Sequence, residues 1–239
     1  MRNRPRADAA AEKFFQGSEY WAAWSQVPDM TPDIDYAVAA IRADHGTVLD
    51  VPCGRGRLLR AIRSRWPHCR LFGADVNQQM VQQVRDALPD VHAMVSSVYS
   101  LPFRDRAFDV VVCHASFMHF DEPNKALAEL LRVARQNVCF SVTTRRQLNT
   151  LLRRVGLLGS SSVPHWTYDV EDVLRLLPSE EFDWSIVGAF LVGQKALGLS
   201  HETFTRWHRR IGRRLPQWLL RRFGQTLFVY GERRLTTAR

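Results

Sequence analysis

From Val48 onward, short apolar runs rich in β-branched and aromatic residues alternate with stretches in which apolar residues recur every three or four positions. The first pattern suits strands and the second suits helices with one buried stripe. Strands are predicted at Thr47 to Val51, Arg70 to Asp75, Val91 to Ser96, Phe108 to Cys113 and Asn137 to Thr143, with helices over Leu58 to Trp66, Gln78 to Leu88 and Asn124 to Arg135. Such alternation implies βαβ units and a parallel sheet. Two further strands are predicted in "WSIVGAFLVG" and "TLFVYGE".

Segments on either side break the alternation. In "EKFFQGSEYWAAW", Phe14, Phe15, Tyr20, Trp21 and Trp24 fall on a predicted helix. In "SSSVPHWTYDVEDVLRLL", loop chemistry leads to a predicted N-cap at Asp169 and a short helix. The stretch "HETFTRWHRRIGRRLPQWLLRRFG" is amphipathic, with Phe204, Trp207, Ile211, Leu215, Trp218, Leu219 and Phe223 on its apolar side. Pro216 should kink or split that helix.

Composition adds bounds. With 239 residues, 46% hydrophobic and 24% charged, the chain reads as one folded domain rather than a disordered segment. Its apolar runs fall short of the ~18 residues of a membrane span. The N-terminus "MRNRPRADAAAEKFF" has no apolar centre of the secretory kind, so a cytoplasmic location is expected. Cys53, Cys69, Cys113 and Cys139 form no CxxC pair, which argues for reduced, buried thiols and against a metal site or a disulfide framework.

The net charge of +9 is concentrated, because seven arginines stand against Glu202 alone between His201 and Phe223. Three readings compete. A cover helix with a solvated basic face is favoured, and it should bury Trp207 and Trp218 against the sheet. Contact of residues 203–223 with an anionic membrane surface comes second. Nucleic acid comes last, since "CHASFMHF" after the fourth strand lacks an NPPY-type motif and no RNA-binding module is present.

The candidate chemistry begins in "VLDVPCGRGRLL", where Gly54 and Gly56 follow a predicted strand that carries Asp50. Bare backbone permits a left-handed turn and close approach of a ligand. A dinucleotide fingerprint fails at Leu59, which stands where its third glycine belongs, and no GK[ST] follows for a P-loop. Asp75 lies nineteen residues after Gly56, at the end of the second strand, where a carboxylate can accept both hydroxyls of a ribose. A nucleoside bearing positive charge fits this set better than a diphosphate does.

Four ordered blocks, "VLDVPCGRGRLL", "LFGADVNQQMVQQV", "SSVYSLPFRDRAFDVVVCHASFMHF" and the helix and strand through "NVCFSVTT", resemble the class I S-adenosylmethionine-dependent methyltransferases. The likeness is to small-molecule enzymes of the ubiquinone and menaquinone methyltransferase kind. It implies an α/β, doubly wound, Rossmann-like and mostly parallel seven-stranded sheet. Residues 1–46 would be an N-terminal helical lid, 47–144 the cofactor-binding core, and 145–239 a substrate-side lid with a helical insertion before the last strand. The resemblance further implies that Asp50, Cys53, Gly54 and Gly56 cradle the methionine part of S-adenosylmethionine. Asp75 would hold the ribose, Val76 and Met80 would pack near the adenine, and Ser97 with the Val98 amide would serve where the family has an Asp. Cys113 is placed beside the cofactor by the same likeness.

Acceptor residues should follow the fourth strand or come from the flanking segments, since ligands sit outside the carboxyl ends of parallel strands. His114 and His119 are the candidate bases. Tyr20, His165, Trp166 and Tyr168 are candidates for lining the acceptor site. O-methylation of a small secondary metabolite is the leading expectation. N- or C-methylation of a quinone- or lipid-like acceptor at a membrane, or a non-catalytic S-adenosylmethionine-binding module, stand behind it.

Overall fold

Val48, Leu49, Val110, Val111 and Val112 have no solvent contact, and they alternate between the two faces of one central sheet. In this computed structural model, residues 31–146, 166–191 and 197–234 are described. The strands are β1 (Thr47–Asp50), β2 (Arg70–Asp75), β3 (His92–Val95), β4 (Phe108–Cys113), β5 (Ala134–Thr144), β6 (Thr167–Tyr168), β7 (Phe182–Ala189) and β8 (Thr226–Arg233). The α-helices are α1 (Pro32–Ala37), α2 (Arg57–Arg65), α3 (Gln78–Ala87), α4 (Pro123–Val133), α5 (Val170–Leu176), α6 (His201–Arg210) and α7 (Gln217–Phe223).

The main path of the sheet runs β3-β2-β1-β4-β5-β8-β7. Strands β1 to β5 are parallel, whereas β8 lies antiparallel between β5 and β7. The seven strands expected are these, and a short eighth, β6, pairs with the end of β5 through Thr143 and Thr144. Because β1 is flanked by β2 on one side and β4 on the other, the chain reverses direction across the sheet there. That is the switch point at which open α/β sheets bind ligands.

One face of the sheet is packed by Phe117, Leu127, Leu130 and Phe140, the other by Ile34, Leu58, Leu59, Ile62 and Phe204. Helix α2 buries Leu58, Leu59, Ala61 and Ile62 and turns Arg65 outward, as the periodicity demands. Helix α3 begins at Asn77, whose side chain accepts the N–H groups of Gln79 and Met80. The predicted cap at Asp169 opens α5 through a capping box with Asp172.

Two sequence-based boundaries move. Strand β5 starts at Ala134 rather than Asn137, because pairing with β4 begins at Phe108 opposite Ala134 and draws these residues out of α4. The single arginine-rich helix is two helices, with a 3₁₀ turn at Gly212–Arg214 and Pro216 as the N-cap of α7. Proline has no N–H to give to an earlier turn, so the break falls where the sequence placed it.

Candidate functional site

The turn after β1 contains two glycines with different work. Gly54 has φ +49° and a Cβ placed there would meet nothing within 4 Å, so its backbone faces open space. Gly56 has φ +79° and caps α2, but a Cβ there would lie 3.1 Å from Val84 Cγ2 of α3. Gly54 therefore leaves its backbone open to approach, and Gly56 lets two helices approach. Cys53 is buried beside Gly73 of β2, where an added Cβ would lie 3.0 Å from its Sγ.

Asp75, at the carboxyl end of β2, ties this turn to the next strand. Its Oδ2 accepts the Gly54 N–H at 2.8 Å and its Oδ1 accepts the Asn77 N–H at 2.9 Å. Burial raises its pKa, and the backbone N–H bonds from Asn77, Gly54 and Val76 work against that rise. Each carboxylate oxygen has a second lone pair, so hydroxyl donors can still be accepted. Asp50, at the end of β1, is almost fully buried, and its pKa is pushed well above the carboxylate range by burial and by Asp75. Two buried acids around a turn of open backbone, one raised in pKa beside the other, are relieved by a cationic ligand with hydroxyls and strained further by a phosphate. S-adenosylmethionine, with a sulfonium, an ammonium and a ribose, meets that donor set.

The remaining expected contacts are placed unevenly. Val76 is 60% exposed just beyond β2, whereas Met80 is buried at the start of α3. Ser97 Oγ accepts the Tyr99 N–H at 3.2 Å, and Val98 is buried. Cys113 is wholly enclosed in the core and burial drives its thiol pKa far up, so its side chain packs rather than meeting a ligand. Tyr168 is likewise in the core, its ring centroid 6.3 Å from that of Phe117, because β6 draws it against β5. This corrects the lining role expected of it. Trp166 is half-buried, and its N–H is donated to the Met118 carbonyl at 2.7 Å. Tyr20, Trp21, Trp24 and His165 lie outside the described residues.

Directly after β4, beside β1, stands His114. Its Nε2 is 2.8 Å from Oδ2 of Asp33 in α1, and its ring lies nearly parallel to Phe228, with centroids 5.9 Å apart. A carboxylate only accepts, so Nε2 carries the proton facing Asp33, and in the uncharged form of the ring Nδ1 holds the lone pair. That Nδ1 is buried with no hydrogen-bond partner. Burial alone would raise the Asp33 pKa, but the hydrogen bond and charge of His114, with Arg57, hold it well below the carboxylate range. Arg57, the first residue of α2, sits 3.7 Å from the same oxygen and 2.5 Å from Thr31 Oγ1.

The next residue, Ala115, has φ +54°, a left-handed conformation that alanine seldom adopts, and its N–H is held by Ser141 Oγ at 2.8 Å. Strain of this kind gathers at functional loops. His119 is half-buried in the 3₁₀ turn Phe117–His119 that follows. Sequence reading overlooked Asp33 and Arg57. "TPDIDY" does signal a helix start, with Pro32 at its first turn and acids behind it, but nothing local ties Asp33 to a histidine 81 residues away.

Residues 49–142 match the family described as "Methyltransferase domain". Among curated proteins, the demethylmenaquinone methyltransferase of Thermotoga maritima is 30% identical over 89 residues, covering 37% of this chain and 39% of that protein. The ubiquinone/menaquinone biosynthesis C-methyltransferase UbiE of Burkholderia mallei is 34% identical over 95 residues, covering 38% of this chain and 39% of that protein. The matches thus span about two fifths of these relatives' length. Among solved structures, the magnesium protoporphyrin IX methyltransferase of Synechocystis with bound S-adenosylhomocysteine superposes with a TM-score of 0.64 at 14% identity, over 95% of this chain and 99% of that one. The plantazolicin methyltransferase BpumL gives 0.66 at 16% identity, over 95% of both chains. Those two likenesses establish the fold.

Proposed function

We propose that this chain, whose residues 49–142 match a methyltransferase-domain family and are similar to menaquinone and ubiquinone enzymes, is a class I S-adenosylmethionine-dependent methyltransferase that methylates a hydroxyl of a small molecule. The observation that carries the choice of oxygen is the His114–Asp33 pair at 2.8 Å, with His114 Nδ1 buried and unpartnered. An unsatisfied buried acceptor costs ~1–3 kcal/mol, and an acceptor hydroxyl docked there would satisfy it.

When bound, S-adenosylmethionine supplies a methyl group already activated on a sulfonium. The chain's residues then have modest tasks. Gly54 gives access to backbone, Asp75 accepts ribose hydroxyls while fixing the turn, and Asp50 favours a cationic ligand. Val76, Met80, Ser97 and the Val98 amide, which follow β2 and β3, would receive the adenine. His114 Nδ1 takes the hydroxyl proton, and Asp33 keeps the ring in the tautomer that can do so. Holding the acceptor in line and excluding water supplies much of the remaining rate. His119, in the turn after β4, and Trp166, bonded to that turn through the Met118 carbonyl, are further candidates for acceptor contact.

The test is incubation of the full chain with cell extract and cofactor labelled in its methyl group, followed by mass spectrometry. Labelled methoxy products that appear only with active protein support the reading. Nucleoside binding by calorimetry without turnover would make the chain a non-catalytic binding module. Labelled N- or C-methyl products would overturn the choice of oxygen.

A further inference from the structure

The basic segment divides into a half that is explained by the fold and a half that is not. In α6 and the 3₁₀ turn after it, Arg206 pairs with Glu202 at 2.8 Å, and Arg209 and Arg213 close on Asp35 of α1 at 3.1 and 2.9 Å. Trp207 is half-buried and packs beside Phe204, with ring centroids 6.0 Å apart. This half is a cover helix, as expected. From the end of α6 onward, Ile211 is 52% and Trp218 68% exposed, and Arg210, Arg214 and Arg221 form no ion pair among the described residues. The expectation that both tryptophans would be buried therefore holds for Trp207 only in part and fails for Trp218.

Helix α7 is seated firmly. Leu220 is fully buried, and Gly188 of β7 comes so close that a Cβ there would lie 2.3 Å from the Leu220 carbonyl carbon. Gln217 Oε1 also accepts the Gly188 N–H at 3.0 Å. With Leu220 inward, Trp218 turns outward, and Arg221 and Arg222 follow it at three and four positions on the same side. The result is a rigid platform with an indole at its tip and guanidinium groups around it.

We infer that this platform, formed by α7 and the 3₁₀ turn before it, docks on an anionic lipid surface. Exposed Trp beside arginines is the arrangement by which interfacial helices enter a headgroup layer. RNA would also attract the arginines and could stack on Trp218, but Ile211 and the half-exposed Leu215 and Leu219 gain nothing from bases and do gain from acyl chains. Arg206, Arg209 and Arg213 are already neutralised by acids, so the positive charge without an ion pair among the described residues is that of Arg210, Arg214, Arg221 and Arg222, in the same stretch as the exposed Ile211 and Trp218. The inference goes beyond the catalytic reading and does not depend on it.

The experiment is sedimentation of the full chain with vesicles of phosphatidylcholine alone and with one-third phosphatidylglycerol, at low and at physiological salt. Binding should require phosphatidylglycerol and weaken steeply with salt. Each arginine near such a surface is worth roughly fivefold in affinity, so joint replacement Arg210→Glu, Arg214→Glu, Arg221→Glu and Arg222→Glu should lower it by about 100-fold or more. Trp218→Ala should lower it about tenfold and leave the salt dependence intact. If the fourfold variant fails to fold, Trp218→Ala and the salt dependence of the unaltered chain decide. Absence of binding at low salt, equal binding to neutral vesicles, or an unchanged Trp218→Ala would overturn the inference. So would release from vesicles by polyuridylate at equal phosphate, which would assign the platform to RNA. Cofactor binding measured in solution on the same variants should be unchanged.

Discussion

Nε2 of His114 and Oδ2 of Asp33 meet at 2.8 Å, joining the end of β4 to the first turn of α1. With His114 as the proposed base, Asp33 would contribute by positioning, since it acts through the histidine. Asp33→Ala should lower turnover ~10-fold or more while cofactor affinity stays the same, and Asp33→Asn, which retains a carbonyl acceptor, should restore part of it. Nitrogen NMR of the ring should report the Nε2-protonated tautomer in the unaltered protein and a mixture in Asp33→Ala. A variant with full turnover and an unaltered tautomer would leave the pair a structural contact.

The two glycines of the turn should separate by assay. Gly54→Ala adds a Cβ into open space at φ +49°, so it should cost ~1–2 kcal/mol of stability from backbone strain and weaken S-adenosylmethionine binding clearly. Gly56→Ala adds the same strain plus a 3.1 Å contact with Val84, so its greater effect should be on thermal unfolding. Calorimetry beside a melting curve distinguishes them, and equal losses of affinity in both variants would contradict the division.

Asp75→Ala should reduce nucleoside affinity on the order of 100-fold. The structure adds a second effect, because Gly54 and Asn77 lose the acceptor for their N–H groups. Stability should therefore also fall, by ~1–3 kcal/mol. Asp75→Asn keeps one carbonyl oxygen and should recover part of both. A folded Asp75→Ala protein with full affinity would remove the ribose role.

His208 provides a pH dependence. It is almost fully buried, its Nε2 lies 3.2 Å from the Tyr36 hydroxyl, and burial followed by the charge of Arg213 lowers its pKa to about 4. Because the folded value lies below the unfolded one, the stability is fully present above pH 6.5 and is lost as pH falls from there toward 4. The loss is bounded at ~3 kcal/mol. Denaturant unfolding at several pH values should show this slope, and His208→Gln should flatten it. An unchanged slope in that variant would assign the effect to other groups.

Hydrophobic period alone was enough for the strand and helix succession from Thr47 to Thr143, because the central parallel strands β1 and β4 are buried on both faces and each helix on one. The glycine turn, Asp75 and the split at Pro216 were legible for the same reason, that backbone conformation at glycine and proline is a local property. Other features depended on pairing across distance. Whether Tyr168 faced a ligand or the core was decided by β6 adding to β5, and the first residues of β5 by their register with β4. Asp33 and His114 meet only because α1 packs over the carboxyl ends of the strands, a contact between residues whose own neighbours carry no sign of it. Trp207 and Trp218 occupy equivalent places in the amphipathic pattern. Gly188 and Leu220 then seat α7 with one side against the sheet, and that close approach turns Trp218 to solvent while Trp207 packs.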